Sequence, residues 1–89
     1  MVDIHYFAAA RAARGRSTET VDAGANGLVT LADLVETLGR EHTEHRAAGL
    51  SLAEVFGRCT FLADGRRAEP SAPLANVERI DIMPPFAGG

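Results

Sequence analysis

The chain has one cysteine, no excess of positive charge and no long apolar run, and each shortage excludes a class of protein. A single cysteine among 89 residues leaves no partner for an internal disulfide, as is usual in a reducing cytosol. A net charge of −3 argues against a nucleic-acid-binding protein, which usually carries a basic patch. No apolar stretch approaches the roughly 20 residues of a membrane-spanning helix. The opening residues contain Asp3 and no basic leader, so we expect no signal peptide and a cytoplasmic location.

The size and composition predict one folded domain. A chain of 89 residues buries a single modest core and leaves no room for a separate catalytic domain. It is 46% hydrophobic and 24% charged, which is ordinary for a globular protein and argues against disorder of the whole chain. We predict a domain over 1–83 and an extended tail over 84–89.

Hydrophobic periodicity predicts the elements of this domain. Val2, Ile4 and Tyr6 alternate with polar residues, which indicates a strand with one apolar face. The main helix starts at Thr30, the predicted N-cap of a capping box with Asp33, and its apolar stripe predicts burial of one face. That stripe consists of Leu31, Leu34, Val35 and Leu38. The other predicted elements are a helical turn over 8–15, a strand over 17–23, a short helical or irregular segment over 50–56, a strand over 58–63, an Asp64-Gly65 turn, a return strand over 66–69 and a last strand over 79–83.

The order of these elements predicts the fold class. One amphipathic helix between two groups of strands favours an α+β fold with two layers. We predict a β-grasp, or ubiquitin-like, roll: a mixed sheet of about five strands with one main helix packed on one face. A split βαβ fold is the main alternative, but it usually has a second full helix before its last strand. Gly39 is expected to weaken or end the first part of the main helix, and the polar segment REHTEHR after it either continues the helix or forms a solvated extension.

Side chains in the body of the domain predict no active site. His42 and His45 are three residues apart and would share a helical face, yet a solvated face explains them better than a metal site, and we predict no bound metal. Cys59 is expected to be a small core residue rather than a nucleophile, since no second cysteine completes a redox pair. No glycine-rich phosphate loop is present.

The last ten residues, IDIMPPFAGG, offer more chemistry. Pro84 and Pro85 fix φ and favour a stiff, extended exit from the last strand. Gly88 and Gly89 have no Cβ, so their backbone fits a channel too narrow for other residues. The tail ends in a carboxylate, a group that is inert by itself but that an ATP-using enzyme can convert into a reactive mixed anhydride. From the residues alone, a reactive terminus and an inert flexible tail are about equally consistent with this stretch.

Both ends of the chain resemble a known family, the small subunit of molybdopterin synthase, a β-grasp sulfur carrier. The start, IHYFAAARAARG, resembles the family's first strand followed by Phe-Ala-x-x-Arg and a glycine, here Phe7, Ala8, Arg11 and Gly15. The end resembles the family's last strand, Pro-Pro, two variable residues and Gly-Gly. One departure is Val77-Glu78, where the family often has Gly-Asp, so we expect the turn before the last strand to be built differently.

This resemblance implies a function and its partners. A ubiquitin-activating-type enzyme would adenylate the carboxylate of Gly89 with ATP, and a sulfur donor would then convert it into a thiocarboxylate. The tail, with Gly88 and Gly89 at the reacting end, would enter the large subunit of molybdopterin synthase and give its sulfur to cyclic pyranopterin monophosphate. The domain itself would bind no cofactor, and catalytic side chains would lie mostly on the large subunit. Alternatives are a sulfur carrier for thiazole or cysteine synthesis, a ubiquitin-like protein modifier and a plain interaction domain.

The strand pattern and the resemblance together predict a docking surface. If Val2, Ile4 and Tyr6 face the helix, Phe7 points to the other side of the sheet. If Ile80 and Ile82 face inward, Met83 also points outward. Phe7, Met83 and Phe86 are then expected to form an exposed apolar patch at the base of the tail. The predicted partner-binding residues are Phe7, Arg11, Met83, Pro84, Pro85, Phe86 and Ala87.

Overall fold

A computed structural model describes residues 1–47 and 49–85 of the chain. The described residues form five strands and three helices. In chain order these are β1 (Val2–Tyr6), α1 (Ala8–Arg14), β2 (Thr18–Val21), α2 (Leu31–Glu41), α3 (Leu52–Phe56), β3 (Thr60–Ala63), β4 (Arg66–Arg67) and β5 (Arg79–Met83). In this part of the chain, no helix is long and apolar enough to cross a lipid bilayer.

The strands form one mixed sheet in the order β2-β1-β5-β3-β4. The central pair, β1 and β5, is parallel, with Tyr6 opposite Ile82, and every other neighbouring pair is antiparallel. The main helix α2 lies between the β1–β2 hairpin and the later strands in the chain. The second candidate helix, α3, has only 5 residues, which is too short for a split βαβ fold. The β-grasp prediction is therefore confirmed.

The core lies between one face of the sheet and α2. Val2, Ile4 and Tyr6 of β1 are at most 2% exposed, and Ile80 and Ile82 of β5 are fully buried. They pack in one cluster with Leu31, Leu34 and Leu38 of α2, while Val35 is only partly buried at the margin. Burying each such side chain contributes roughly 1.5–3 kcal/mol. The period-two strands and the helical stripe thus face each other as predicted.

The main helix begins as predicted and continues past Gly39 into the polar segment. Thr30 Oγ1 accepts a hydrogen bond from the Asp33 backbone N–H at 3.3 Å, and the Asp33 carboxylate accepts from the Thr30 N–H at 3.0 Å, which completes the capping box. Gly39 does not end the helix, which continues to Glu41. A Cβ at Gly39 would lie 3.0 Å from the Cβ of Ala53, so glycine there allows α3 to approach closely.

The β3–β4 hairpin is shorter than the sequence predicts. The backbone N–H groups of Arg58 and Cys59 donate to carbonyls of α3 at 3.0 and 3.1 Å, so β3 begins only at Thr60. The return strand β4 has two residues, although Ala68 N still donates to Phe61 O at 2.8 Å. The predicted Asp64-Gly65 turn is present, with φ values of 50° and 83°.

The turn before β5 is built without the glycine that the resembling family often has there. Asn76 takes the left-handed conformation, with φ 66°, which asparagine tolerates better than most residues. The side chain of Asp64 supports the start of the strand, because its Oδ1 accepts from the backbone N–H groups of Glu78 and Arg79 at 3.1 and 3.0 Å. Asn76 and Asp64 together thus hold this turn without a glycine.

Candidate functional site

The two ends of the chain that carry the resemblance meet at one end of the sheet. Because β1 and β5 are parallel neighbours, both finish at the same edge, and Phe7 N donates to Ile82 O at 3.1 Å. On the other side of β5, Met83 lies opposite Thr60. We call this region, formed by Phe7, Thr60, Met83 and Pro84, the exit end, because the tail leaves the sheet here.

The Phe-Ala-x-x-Arg segment forms a sharp corner at the exit end. Phe7 is extended, with φ −119° and ψ 149°, and its carbonyl accepts from the N–H groups of Ala10 and Arg11 at 3.0 and 3.3 Å. Ala8 has φ 48°, a left-handed conformation that costs about 1 kcal/mol or more for a residue with a Cβ. This strained corner lets α1 start directly after β1 and leaves Arg11 exposed on its surface.

Gly15 closes the corner, as the sequence predicts. Its φ of 85° belongs to the left-handed cap, and its N–H donates to Arg11 O at 2.9 Å. A Cβ at this position would also lie 2.5 Å from two ring atoms of His45. The left-handed turn therefore requires the glycine, and the exposed imidazole of His45 lies over it.

Phe7 and Met83 share the face of the sheet opposite the core. Phe7 continues the alternation of β1, and Met83 continues that of β5, so both point away from Tyr6 and Ile82. Each is half-buried rather than fully exposed. Among the described residues, the large hydrophobic side chains with high exposure are Met1 and Val29, at the opposite end of β1. Two members of the predicted patch therefore lie side by side, with less of their surface open than expected.

Leu62 belongs to this face and was not among the predicted site residues. It pairs with Asp81 on one side and Arg67 on the other, and it is half-buried. Asp81 in turn holds Arg79, with Arg79 Nε 2.7 Å from Asp81 Oδ1. The signal was available in the sequence of β3, where Leu62 alternates with Phe61 and Ala63 and therefore points to the opposite face of the sheet.

A polar cluster lies under the exit end and anchors α1 to the sheet. Glu19 of β2 accepts from Tyr6 Oη at 2.5 Å, from Arg14 Nε at 2.7 Å and from Arg14 Nη2 at 3.1 Å. His42, at the end of α2, places its Nε2 3.9 Å from Glu19 Oε1. The Arg14 and Glu19 side chains are only 11% and 12% exposed. We call Tyr6, Arg14, Glu19 and His42 the Glu19 cluster.

The charges of the Glu19 cluster reinforce one another. Burial by itself raises the pKa of Glu19, but the hydrogen bonds from Arg14 and Tyr6 outweigh it, and the net pKa is lowered. Burial and the neighbouring Glu19 carboxylate raise the pKa of Tyr6. The hydrogen bond to Glu19 raises the pKa of Arg14. The cluster therefore holds an ionised carboxylate, a cation and a neutral phenol at neutral pH.

Two of the histidines and the cysteine of the body can be compared with their predicted surroundings. The expectation of a solvated face fits His45, which is exposed, but is wrong for His42, which packs beside Glu19. Between residues 1 and 85, leaving out position 48, no three His, Cys, Asp or Glu side chains are grouped to hold a metal ion. Cys59 is half-buried beside the core, its Sγ lies 3.2 Å from Val55 O, and burial raises its pKa to about 11.

The remaining predicted site residues are placed as follows. Pro84 is half-buried where it leaves β5, and Pro85 is exposed after it. Phe86, Ala87, Gly88 and Gly89 lie outside the described residues. Their roles, and the partner-binding roles of Phe7, Arg11 and Met83, stay predictions.

Comparison with known proteins agrees with this architecture. The crystal structure of SAMP1 from Haloferax volcanii superposes with a TM-score of 0.70, covering 99% of this chain and 98% of that one, at 22% sequence identity. That likeness shows a shared fold. No curated protein matches the chain. Residues 4–89 match the ThiS family, whose members are ubiquitin-like sulfur carriers, and the chain therefore belongs to that family.

Proposed function

We propose that this chain is the sulfur carrier of molybdenum cofactor biosynthesis, in the role of the small subunit of molybdopterin synthase. The observation that carries the proposal is the parallel pairing of β1 with β5, which joins the Phe7-Ala8 corner to the base of the tail. The two segments that resemble this subunit are 75 residues apart in sequence, counted from Phe7 to Ile82, and one hydrogen bond of 3.1 Å connects them. The domain thus presents its tail from a defined edge.

The chemistry of this role takes place at the carboxylate of Gly89. An activating enzyme of the ubiquitin-activating type joins this carboxylate to the AMP part of ATP and releases pyrophosphate. A sulfur donor that carries a persulfide then attacks the carbonyl carbon through its outer sulfur, a C–S bond forms, and AMP leaves with the electrons of the broken C–O bond. A second thiol then attacks the donor's inner sulfur and breaks the S–S bond, which leaves a thiocarboxylate on Gly89 and a disulfide on the donor. The domain binds no cofactor in this scheme, since ATP is used by the activating enzyme in the cytoplasm.

The tail then delivers sulfur inside the large subunit. Pro84 and Pro85 direct the chain away from β5, and the four residues after Pro85 span at most roughly 14 Å. Gly88 and Gly89 are narrow enough to enter a closed active site, where cyclic pyranopterin monophosphate takes the sulfur. The large subunit supplies the side chains for this transfer, which fits the inert cysteine and histidines of the body.

The docking surface in this proposal is the exit end and its open sheet face. Phe7 and Met83 provide apolar contact area, Arg11 a neighbouring positive charge, and Phe86 with Ala87 the first contacts of the tail. We expect Phe7→Ala and Phe86→Ala to weaken binding to the large subunit. Val29→Ala is a matched control, because Val29 is 67% exposed at the opposite end of β1. Titration calorimetry that gives equal affinities for all three variants and the parent chain would rule out this surface.

Two measurements test the function itself. Incubation with the activating enzyme, ATP and a sulfur donor should raise the intact mass by one oxygen-to-sulfur exchange. No mass change with a competent enzyme would contradict every carrier function. The thiocarboxylated chain, mixed with the large subunit and cyclic pyranopterin monophosphate, should then yield the dithiolene product. Sulfur loading without pterin conversion would instead favour thiazole or cysteine synthesis, and isopeptide products on other proteins would favour a protein modifier.

A further inference from the structure

Arginine supplies all the side-chain positive charge of this chain. The sequence contains nine basic residues and no lysine. The nine are Arg11, Arg14, Arg16, Arg40, Arg46, Arg58, Arg66, Arg67 and Arg79. The chain therefore carries no ε-amino group, although it has a normal share of surface cations.

At only a few of these nine positions do the local contacts require an arginine rather than a lysine. Arg14 uses its planar fork, with two nitrogens on the two oxygens of Glu19. Arg40 instead makes one loose contact, with Nη1 3.6 Å from Glu36 Oε1, and its side chain is 66% exposed. Arg66 is exposed on the edge strand β4 and has no ion pair among the described residues. A lysine ammonium would serve the fold equally well at Arg40 and Arg66.

The two cations differ in nucleophilicity. A guanidinium has a pKa above about 12 and stays protonated, whereas a lysine amine with a pKa of about 10.4 is neutral in a small fraction of molecules at pH 8. The neutral amine attacks an activated carboxyl group: a C–N bond forms at the carbonyl carbon, AMP or a thiol leaves with the bonding electrons, and the nitrogen loses a proton. The product is an isopeptide bond. Arginine does not undergo this reaction under the same conditions.

The other strong side-chain nucleophiles of the chain are restrained by the fold. The only cysteine, Cys59, is half-buried, with its Sγ against Val55 O. The only tyrosine, Tyr6, is 2% exposed, and its phenolic hydroxyl donates a hydrogen bond to Glu19. Met1 lies at the start of β1, opposite the exit end.

We infer that this protein donates its activated carboxyl terminus to other molecules. No side chain of the protein accepts the activated carboxyl terminus of a second copy. Chains of this protein branched through isopeptide bonds therefore do not form. The activated terminus is thereby preserved for a sulfur donor or for a different protein. This inference rests on the proposed activation of Gly89.

A chemically activated terminus tests the inference without the activating enzyme. The 89-residue chain is prepared by intein thiolysis as a Gly89 thioester, and its Met1 amine is acetylated. Two variants, Arg40→Lys and Arg66→Lys, are prepared in the same way, and addition of free lysine to each thioester calibrates its reactivity. At pH 8 we expect the Gly89 thioester of the parent chain to hydrolyse without formation of a covalent dimer. Each variant should accumulate a dimer whose tryptic map places the isopeptide bond on the new lysine.

Two outcomes would overturn the inference. The first is a covalent dimer of the acetylated parent chain, which would reveal a side-chain acceptor other than lysine. The second is the absence of dimer from both lysine variants, which would show that an ε-amine at these positions is not captured. A separate incubation of the parent chain with the activating enzyme and ATP reports on the proposed function, because failure to form the adenylate leaves the thioester result unchanged.

Discussion

Replacing Glu19 with glutamine tests whether the negative charge of Glu19 stabilises the fold near the exit end. The variant keeps the shape of the side chain but leaves the guanidinium of Arg14, 11% exposed, without its carboxylate. Hydrogen bonds to charged groups contribute about 1.5–3 kcal/mol. We therefore expect the free energy of unfolding to fall by about 2 kcal/mol at pH 7, a large part of the roughly 5–15 kcal/mol of a small domain. The corresponding drop in Tm is about 8–16 °C.

The pH dependence of this loss follows from the lowered pKa of Glu19. A group whose pKa is lower in the folded state binds fewer protons there than in the unfolded state. Its contribution is fully present above the unfolded pKa and is lost as the pH falls through the folded pKa. The difference between the parent chain and Glu19→Gln should therefore be largest at neutral pH. It should shrink toward zero as the pH falls below the ordinary glutamate value of 4.5.

Urea denaturation followed by circular dichroism, at neutral and acidic pH, measures both effects. Glu36→Gln is the matched control, since the Glu36–Arg40 pair is 76% and 66% exposed and contributes at most about 0.5 kcal/mol. An equal loss at neutral and acidic pH would show that the cluster acts through packing alone. No loss at neutral pH would refute the argument from charge altogether.

Three further predictions concern the turn, the helix contact and the tail. Asp64→Ala should lower the free energy of unfolding by about 1–2 kcal/mol, because two backbone N–H groups at the start of β5 lose their acceptor; an unchanged urea midpoint would contradict this. Gly39→Val should cost about 1–3 kcal/mol, since its Cβ would lie 3.0 Å from that of Ala53, whereas Gly24→Val meets only one atom at 3.7 Å and should cost less. Deleting Gly89, or adding one residue after it, should abolish sulfur transfer and leave the circular dichroism spectrum and Tm unchanged. Sulfur transfer by either tail variant would refute the role of the terminal carboxylate.

The elements that the sequence predicted well are those fixed by local physical chemistry. The strand over Val2–Tyr6 follows from alternation, and the start of α2 follows from the reciprocal hydrogen bonds of Thr30 and Asp33. The end of α1 follows from the left-handed conformation that Gly15 adopts easily. Each of these signals lies within a few residues of the feature it predicts. The apolar faces of the predicted strands and helix are compatible with few arrangements, and the β-grasp fold is one of those arrangements.

The errors lie where a distant contact decides the outcome. Gly39 has low helix propensity, yet α2 continues through it. The absence of a side chain there allows Ala53 of α3 to pack closely against the backbone of α2. His42 stands in a polar segment that predicts a solvated face, but the end of α2 lies beside Glu19 of β2. Neither neighbour is recognisable from the local sequence, because the pairs meet only after the helices have docked on the sheet.

For the candidate site, the sequence by itself determined the composition of the tail, which has two prolines after the last strand and then two glycines. It also determined, through the absence of lysine, which nucleophiles the surface lacks. Only the tertiary structure decided that Phe7 and Met83 lie together, that Leu62 joins their face and that the Glu19 cluster lies beneath them. The physical reason is the parallel pairing of β1 with β5, a contact between the two ends of the chain that is specified by the shared core and not by either segment alone.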